Sequence, residues 1–185
     1  MLGVIPAMVP KGLRLTVELI PTPLHYISNI RTILPTQDWD RLRHACYRSA
    51  RYHCEICHAK GSPPEAHEVW KYETDGPYPV QRLVRLICLC GNCHGVKHFG
   101  RSTIMGHAEE AREHFCVVNG LTSSVGRQRA KEYLTRQMQM CRTRSLLRDW
   151  RLVVDWNALA FQHGVKLSVS GVREYTVPPL RMGTR

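Results

Sequence analysis

The chain has 185 residues, of which 43% are hydrophobic and 22% charged, a balance that excludes an intrinsically disordered protein. No apolar run reaches the roughly 18 to 20 residues of a membrane-spanning helix. Lysine and arginine number 26 against 15 acidic residues, and the formal charge of +11 favours a polyanionic partner such as nucleic acid over a membrane surface.

The start of the chain and its length bear on location and organisation. The first ten residues, MLGVIPAMVP, are too short and too interrupted by proline to form a secretory signal, which predicts a cytoplasmic protein of bacterial or phage type. In a reducing compartment, eight cysteines are more plausible as metal ligands and buried residues than as disulfides. A chain of this length can close one core, so we expect a single domain.

Two elements are predicted before the first cysteine pair. Polar and apolar residues alternate over residues 13–19, which predicts a strand with one buried face that ends before Pro21. Apolar residues then recur at helical spacing from Thr36, with Asp38 as a candidate cap. This helix leads the chain to Cys54.

A β-hairpin and a short helix are predicted next. Residues 65–72 and 83–89 are rich in strand formers, and residues 75–77 are typical of a turn. The hairpin is followed by a short helix over residues 95–99.

The last part of the chain is predicted to be mainly helical. Two longer helices are expected over residues 103–118 and 122–147. A strand at residues 151–154 follows, and a final short helix runs from a cap at Asp155 to Gly164.

Two cysteine pairs predict a structural zinc site. Cys54 and Cys57, like Cys90 and Cys93, are separated by two residues, which lets both sulfurs of a pair converge on one ion. The 32 residues between the pairs allow a hairpin to run out and return, so all four sulfurs can share one zinc. Three other cysteines, predicted to be buried apolar residues, are Cys46, Cys88 and Cys116, while the pattern assigns no role to Cys141.

Three histidines predict a second metal site. His94 and His98 are four residues apart, so both rings project from one face of the short helix. If the four cysteines share one ion, the first strand of the hairpin returns to this helix and brings His67 close to them. The other seven histidines receive an ordinary structural interpretation.

The cysteine and histidine motifs resemble the zinc-bearing branch of the HNH nuclease family. The resemblance rests on Cys54-Glu-Ile-Cys57, on Glu65-Ala-His67-Glu68-Val-Trp70, and on Leu89-Cys90-Gly-Asn-Cys93-His94-Gly-Val-Lys97-His98. It covers roughly residues 46–101 and is densest at residues 89–98. Phage and bacterial nucleases, homing endonucleases and restriction enzymes look similar there.

The resemblance implies a role for each of these side chains. His94 and His98 would be ligands of a catalytic ion, and His67 with Glu68 would form the dyad on the first strand. Either His67 is the general base and Glu65 or Glu68 helps to bind the metal, or His67 is a ligand and Glu68 is the base. We favour His67 as the base. Arg85 stands where the family has its asparagine, and we expect it to serve catalysis instead by contacting a phosphate.

The fold class expected from the resemblance is α+β. A ββα-metal finger with a structural zinc bound by four cysteines would be embedded in a mainly helical single domain with an N-terminal strand. The segments expected are an N-terminal strand and arm at 1–35, the nuclease core with its preceding helix at 36–101, a helical extension at 102–176 and a tail at 177–185.

The function expected is that of a metal-dependent DNA endonuclease or nickase that hydrolyses phosphodiester bonds. Its cofactors would be a structural Zn²⁺ and a catalytic Mg²⁺, Mn²⁺ or Zn²⁺. DNA is the expected partner, and a homodimer or larger assembly is possible. The residues expected to contact DNA phosphates are Lys71, Arg82, Lys97 and Arg101. The alternative is a zinc-ribbon module that binds DNA without cleaving it.

Overall fold

A computed structural model describes residues 12–25, 29–60 and 63–176 as a mixed α+β protein with a small sheet. The strands are β1 (Glu65–Glu73), β2 (Val80–Leu89), β3 (Arg151–Asp155) and β4 (Val172–Thr176). The α-helices are α1 (Thr36–Ser49), α2 (Gly91–Lys97), α3 (Phe99–Ile104), α4 (Ala108–Val118), α5 (Ser124–Ser145) and α6 (Trp156–His163). Two short 3-10 turns lie at Thr22–Leu24 and Ile30–Thr32. Among the described residues, no helix combines the length and apolar character needed to cross a membrane.

The sheet has the order β1-β2-β3-β4. β1 and β2 form the predicted antiparallel hairpin, and its register shifts after Val69, which pairs with Arg85, whereas Trp70 pairs with Leu83. Val84 is therefore an additional residue on β2, as in a β-bulge. β3 pairs with β2 in parallel and with β4 in an antiparallel manner. Neither the pairing of β3 with the hairpin nor the strand β4 was predicted.

The chain divides into two compact units. Within the described residues, one comprises residues 20–25, 29–60, 63–91 and 142–176, and the other residues 12–19 and 92–141. The predicted segments 36–101 and 102–176 each contribute to both units. The expected single domain stays a prediction. The predicted tail at 177–185 lies outside the described residues.

The first unit is built around the sheet. Its largest cluster of buried apolar residues combines α1, the hairpin, β3 and α6, with Leu42, Leu86, Leu152 and Trp156 among the least exposed side chains. Asp38, which the sequence indicated as a cap of α1, is instead buried, and its carboxylate accepts hydrogen bonds from the backbone and hydroxyl of Ser168. The buried carboxylate thus ties the segment after α6 to α1.

The second unit contains α3, α4, most of α2 and α5, and residues 12–19 of the N-terminal segment. Phe115 on α4 stacks on Tyr133 on α5 with ring centroids 5.3 Å apart. Residues 13–19 are not a strand, which corrects the predicted N-terminal strand. Leu15 is buried as expected, but the backbone is held by the Asn119 side chain, which bonds both the N–H and the C=O of Leu15. Hydrogen bonds to a side chain thus take the place of the backbone hydrogen bonds to a neighbouring strand that a β-strand requires.

Two helix boundaries follow local signals that the sequence contains. Asp155 caps α6 by accepting from the N–H of Ala158, and Gly164 ends it with a left-handed φ of 60°, both as predicted. α2 begins at Gly91, four residues before the predicted start, so the second cysteine pair overlaps its first turn. The predicted helix at 103–118 is divided between the end of α3 and α4.

Candidate metal centre

The first cysteine pair lies in a tight turn after α1. The N–H of Cys54 donates to the C=O of Ala59, and the C=O of Cys54 accepts from the N–H of His58. His58 has a positive φ of 63°, a conformation that L-residues rarely adopt. These bonds curl the backbone so that Cys54 and Cys57 face the same side.

The four predicted cysteines come together. The Sγ atoms of Cys54, Cys57, Cys90 and Cys93 all lie within 4.8 Å of one another. The distance between Cys57 Sγ and Cys90 Sγ is 3.6 Å. Sulfurs bound to one tetrahedral zinc at about 2.3 Å are about 3.8 Å apart, so this spacing fits a metal site. The group could hold a structural metal ion such as zinc.

Glu55 fastens the first cysteine pair to β2. Its N–H donates to the C=O of Cys88 at 2.9 Å, and its Oε1 accepts from the N–H of Cys88 at 2.8 Å. Its Oε2 accepts from Nη1 of Arg85 at 2.9 Å. Glu55 therefore holds the turn between Cys54 and Cys57 at the end of the strand that leads to Cys90.

The three predicted histidines also come together. One ring nitrogen from each of His67, His94 and His98 lies within 4.8 Å of the other two. The rings of His94 and His98 meet edge to face with centroids 4.6 Å apart. His67 is 1% exposed, and the other two are partly exposed. Imidazole nitrogens are ligands for Zn²⁺ and other divalent transition metals, so this group could hold a second ion.

Glu68 and Glu65 lie on opposite faces of β1. Glu68 is paired with Leu86, whose side chain belongs to the large core cluster, and burial raises the pKa of the Glu68 carboxyl. Alternation along the strand places Glu65 on the face of His67. Glu65 Oε1 lies 3.4 Å from the position that a Cβ on Gly91 would occupy, at the start of α2. The predicted dyad partner Glu68 is thus directed away from the face that carries His67.

Arg85 is exposed, and its guanidinium forms an ion pair with Glu55. A contact between Arg85 and a phosphate therefore competes with the Glu55 carboxylate. The catalytic role expected for Arg85 stays a prediction.

The four side chains predicted to contact DNA differ in exposure. Lys71 and Arg82 both form ion pairs with Glu73, and hydrogen bonds from Arg82 and Lys71 lower the pKa of Glu73 to about 2. Arg101 is exposed on α3. Lys97 is buried at 8% exposure, and its Nζ donates to Thr16 Oγ1 at 3.1 Å. A phosphate contact by Lys97 would require this side chain to leave Thr16.

Three cysteines outside the group are buried, as the sequence predicted. Burial raises the pKa of the Cys46 thiol to about 12 and that of Cys88 to about 11. Burial also raises the pKa of Cys116. These thiols are protonated at neutral pH and act as apolar packing residues.

Two residues near the cysteines were missed by sequence reasoning. Glu55 lies inside the first pair, so its position was available but its bonds to β2 were not. His114 on α4 has Nε2 at 3.2 Å from Cys93 Sγ, and nothing in its surrounding sequence indicates this contact.

Comparisons of the chain with protein-family models, with curated proteins and with solved structures find no match. The functional interpretation therefore depends on the residues of the chain itself.

Proposed function

We propose that this protein is a metal-dependent DNA endonuclease or nickase of the HNH type that hydrolyses phosphodiester bonds. The observation that carries the proposal is the convergence of His67, His94 and His98. These residues come from a hairpin strand and from the segment that directly follows the hairpin, the order of a ββα-metal finger. The net charge of +11 supports a polyanionic substrate.

The four cysteines are proposed to hold a structural Zn²⁺. Their mutual distances fit tetrahedral thiolate coordination, and a set of four thiolates without an open position is typical of a structural site. In this proposal zinc binding and folding of the finger are coupled.

The three histidines are proposed to form the reaction centre. His94 and His98 would hold a divalent ion, Mg²⁺, Mn²⁺ or Zn²⁺, which supplies positive charge to stabilise the phosphorane and the departing oxygen when bound. His67 would accept the proton of the attacking water at a ring nitrogen. His67 is 1% exposed, so bulk water has little access to its ring. In the other assignment His67 completes the ligand set and Glu68 is the base.

A carboxylate ligand is proposed to come from Glu65 rather than from Glu68. Glu65 shares a face of β1 with His67, whereas Glu68 is paired with core residue Leu86 and has a raised pKa because it is buried. Hard divalent ions such as Mg²⁺ prefer oxygen ligands, so a nearby carboxylate would favour them.

The second candidate is a zinc-ribbon module that binds DNA without cleaving it. Two observations favour it. Within the described part of the chain, no carboxylate belongs to the group of three histidines, and Arg85 forms an ion pair with Glu55. This module would bind DNA through exposed cations, with an affinity that falls steeply with salt.

A plasmid assay separates the two candidates. Supercoiled DNA is incubated with Mg²⁺ or Mn²⁺ and the wild type, His67→Ala, His98→Ala or His107→Ala. His107 is an exposed histidine outside the group and serves as the matched control. The endonuclease proposal predicts nicking by the wild type and His107→Ala and at least a hundredfold loss in the other two.

Equal nicking by all four proteins would reveal a contaminant and remove the support for an active site. No nicking with any divalent ion, together with salt-sensitive DNA binding that survives His67→Ala, would establish the second candidate. Metal analysis tests the zinc proposal separately. One zinc per chain is expected, lost in Cys54→Ser and Cys90→Ser but retained in Cys141→Ser.

A further inference from the structure

His114 contacts the cysteine group although no sequence motif includes it. Its Nε2 atom lies 3.2 Å from Sγ of Cys93, a distance at which nitrogen and sulfur form a hydrogen bond. Cys93 is fully buried, and His114 is partly buried on α4. The contact joins residues 21 positions apart in the chain.

The direction of this hydrogen bond follows from the chemistry of a metal-bound cysteine. A sulfur that binds zinc is a thiolate and has no proton to give. The hydrogen bond with His114 therefore requires that Nε2 carries the ring proton, so that the Nε2–H group donates a hydrogen bond to Cys93 Sγ. In the tautomer protonated at Nδ1, the lone pair of Nε2 would face the thiolate sulfur, and the two atoms would repel each other.

We infer that His114 is a positioning residue of the zinc site, which donates its Nε2–H to the Cys93 thiolate. The inference rests on the proposed binding of zinc by the four cysteines. Four thiolates around Zn²⁺ leave two net negative charges, and an N–H donor offsets part of this charge and orients the sulfur. His114 thereby retains the ion without binding it.

The geometry distinguishes this role from that of a fifth ligand. The four sulfurs lie within 4.8 Å of one another, and the nitrogen of His114 is not part of that mutual group. A ligand must approach the ion at the centre of the group, whereas a donor needs to reach only one sulfur. The Nε2 atom of His114 reaches the sulfur of Cys93, as expected of a hydrogen-bond donor.

The test compares zinc retention in full-length variants. His114→Phe fills the space without a donor, and His114→Gln places an amide N–H near the position of Nε2. His107→Phe, at the start of the same helix, is the matched control. Transfer of zinc to a chromogenic chelator gives the rate of release, and zinc X-ray absorption gives the number of sulfur ligands. The Co²⁺-substituted proteins add a sulfur-to-metal charge-transfer band that responds to hydrogen bonding at the thiolate.

We expect His114→Phe to release zinc at least about tenfold faster than the wild type, as is common when a partner of a ligand is removed. His114→Gln and His107→Phe should stay within about threefold of the wild-type rate, and all proteins should show four sulfurs. If His114→Phe does not fold, a further variant, His114→Ala, takes its place, and the charge-transfer band decides. Relative to the wild type, the band should shift less in His114→Gln than in His114→Ala.

Three results would overturn the inference. The first is that His114→Phe releases zinc at the wild-type rate. The second is that His114→Gln releases zinc as fast as His114→Phe. The third is that X-ray absorption finds a nitrogen among the zinc ligands of the wild type. A wild-type protein that neither contains nor takes up zinc would refute the proposed zinc site itself, together with this role of His114. Zinc content of the wild type thus separates the two failures.

Discussion

The carboxylate of Glu55 accepts hydrogen bonds from the guanidinium of Arg85 at 2.9 Å and from the backbone N–H of Cys88 at 2.8 Å. One side chain thereby connects the turn between the first two cysteines with two positions on β2. Arg85 occupies the position where the HNH resemblance expects an asparagine. In this protein the ion pair of Arg85 with Glu55 helps to stabilise the turn that carries Cys54 and Cys57.

The first prediction concerns this ion pair. Glu55→Ala should destabilise the folded protein by about 1 to 3 kcal/mol, because it leaves the N–H of Cys88 without its acceptor. Arg85→Ala should cost less than about 1 kcal/mol, because the pair is partly exposed and screened by solvent. Urea unfolding of the zinc-loaded proteins gives both values, and the rate of zinc release should rise in the same order.

Arg82→Ala is the control for this prediction, since Arg82 is also on β2 but pairs with Glu73. A larger loss of stability in Arg85→Ala than in Glu55→Ala would contradict the role assigned to Glu55. A strong loss of DNA cleavage in Arg85→Ala with unchanged stability would instead support the catalytic role predicted for Arg85.

The second prediction concerns the reactivity of the eight cysteines. Burial raises the pKa of Cys46 to about 12 and that of Cys88 to about 11, and it also raises the pKa of Cys116. Since the thiolate is the reactive form, these three should resist alkylation in the folded protein. Mass spectrometry after brief treatment with iodoacetamide should find label mainly on Cys141, which is partly exposed.

Removal of zinc by a chelator should add label at the four proposed ligands, Cys54, Cys57, Cys90 and Cys93. Rapid labelling of Cys46 in the zinc-loaded protein would contradict its burial. Equal labelling of the four ligands with and without chelator would contradict the metal site.

The hairpin, the cysteine group and the histidine group were predictable because their signals are local. Two residues between cysteines fix a chelating turn, and alternating strand formers around Asp75, Gly76 and Pro77 fix a hairpin. Once the four cysteines meet, the separation between His67 and His94 along the chain no longer matters. The convergence of the histidines followed from that step.

The remaining features depend on long-range contacts that leave no periodic signal. Residues 13–19 alternate like a strand, yet the backbone of Leu15 bonds to the side chain of Asn119, 104 residues away. β4 is short and mostly exposed, so its residues carry little hydrophobic pattern. The orientation of Glu68 could be derived from alternation along β1, but the family dyad favoured its inclusion in the site.

The third prediction concerns the buried carboxylate of Asp38. Burial acts to raise its pKa above 3.8, but hydrogen bonds from Ser168 and the charge of Arg41 outweigh burial and lower it. The stability that Asp38 contributes is therefore fully present above the unfolded pKa, and it is lost as pH falls through the lower, folded pKa. Asp38→Asn should cost about 1 to 3 kcal/mol at neutral pH, and this difference from the wild type should shrink below pH 3.8.

Urea unfolding of both proteins between pH 7 and pH 2.5 tests this sign, with Asp40→Asn as the control. Asp40 lies in the same helix, but its ion pair with Arg43 is more exposed. A difference between Asp38→Asn and the wild type that grows as the pH falls would contradict a lowered pKa.

The fourth prediction distinguishes Glu65 from Glu68. If the proposed reaction centre includes a carboxylate from the face of His67, Glu65→Gln should reduce plasmid nicking at least about tenfold and should raise the Mg²⁺ concentration needed. Glu68→Gln should leave nicking within about twofold, because Glu68 is paired with the core residue Leu86, on the face of β1 opposite to His67. The reverse order of the two effects would identify Glu68 as the base and His67 as a ligand.

The last prediction concerns DNA binding and uses the difference between Arg101 and Lys97. Arg101 is exposed, whereas Lys97 is buried and donates to Thr16. Arg101→Ala should lower DNA affinity about equally for all sequences and reduce the slope of log K against log salt by about one. Lys97→Met should leave that slope unchanged and should lower stability instead, because Thr16 loses its partner. Fluorescence anisotropy between 50 and about 300 mM salt measures the slopes. A reduced slope for Lys97→Met with unchanged stability would mean that Lys97 leaves Thr16 to reach a phosphate, as the sequence predicted.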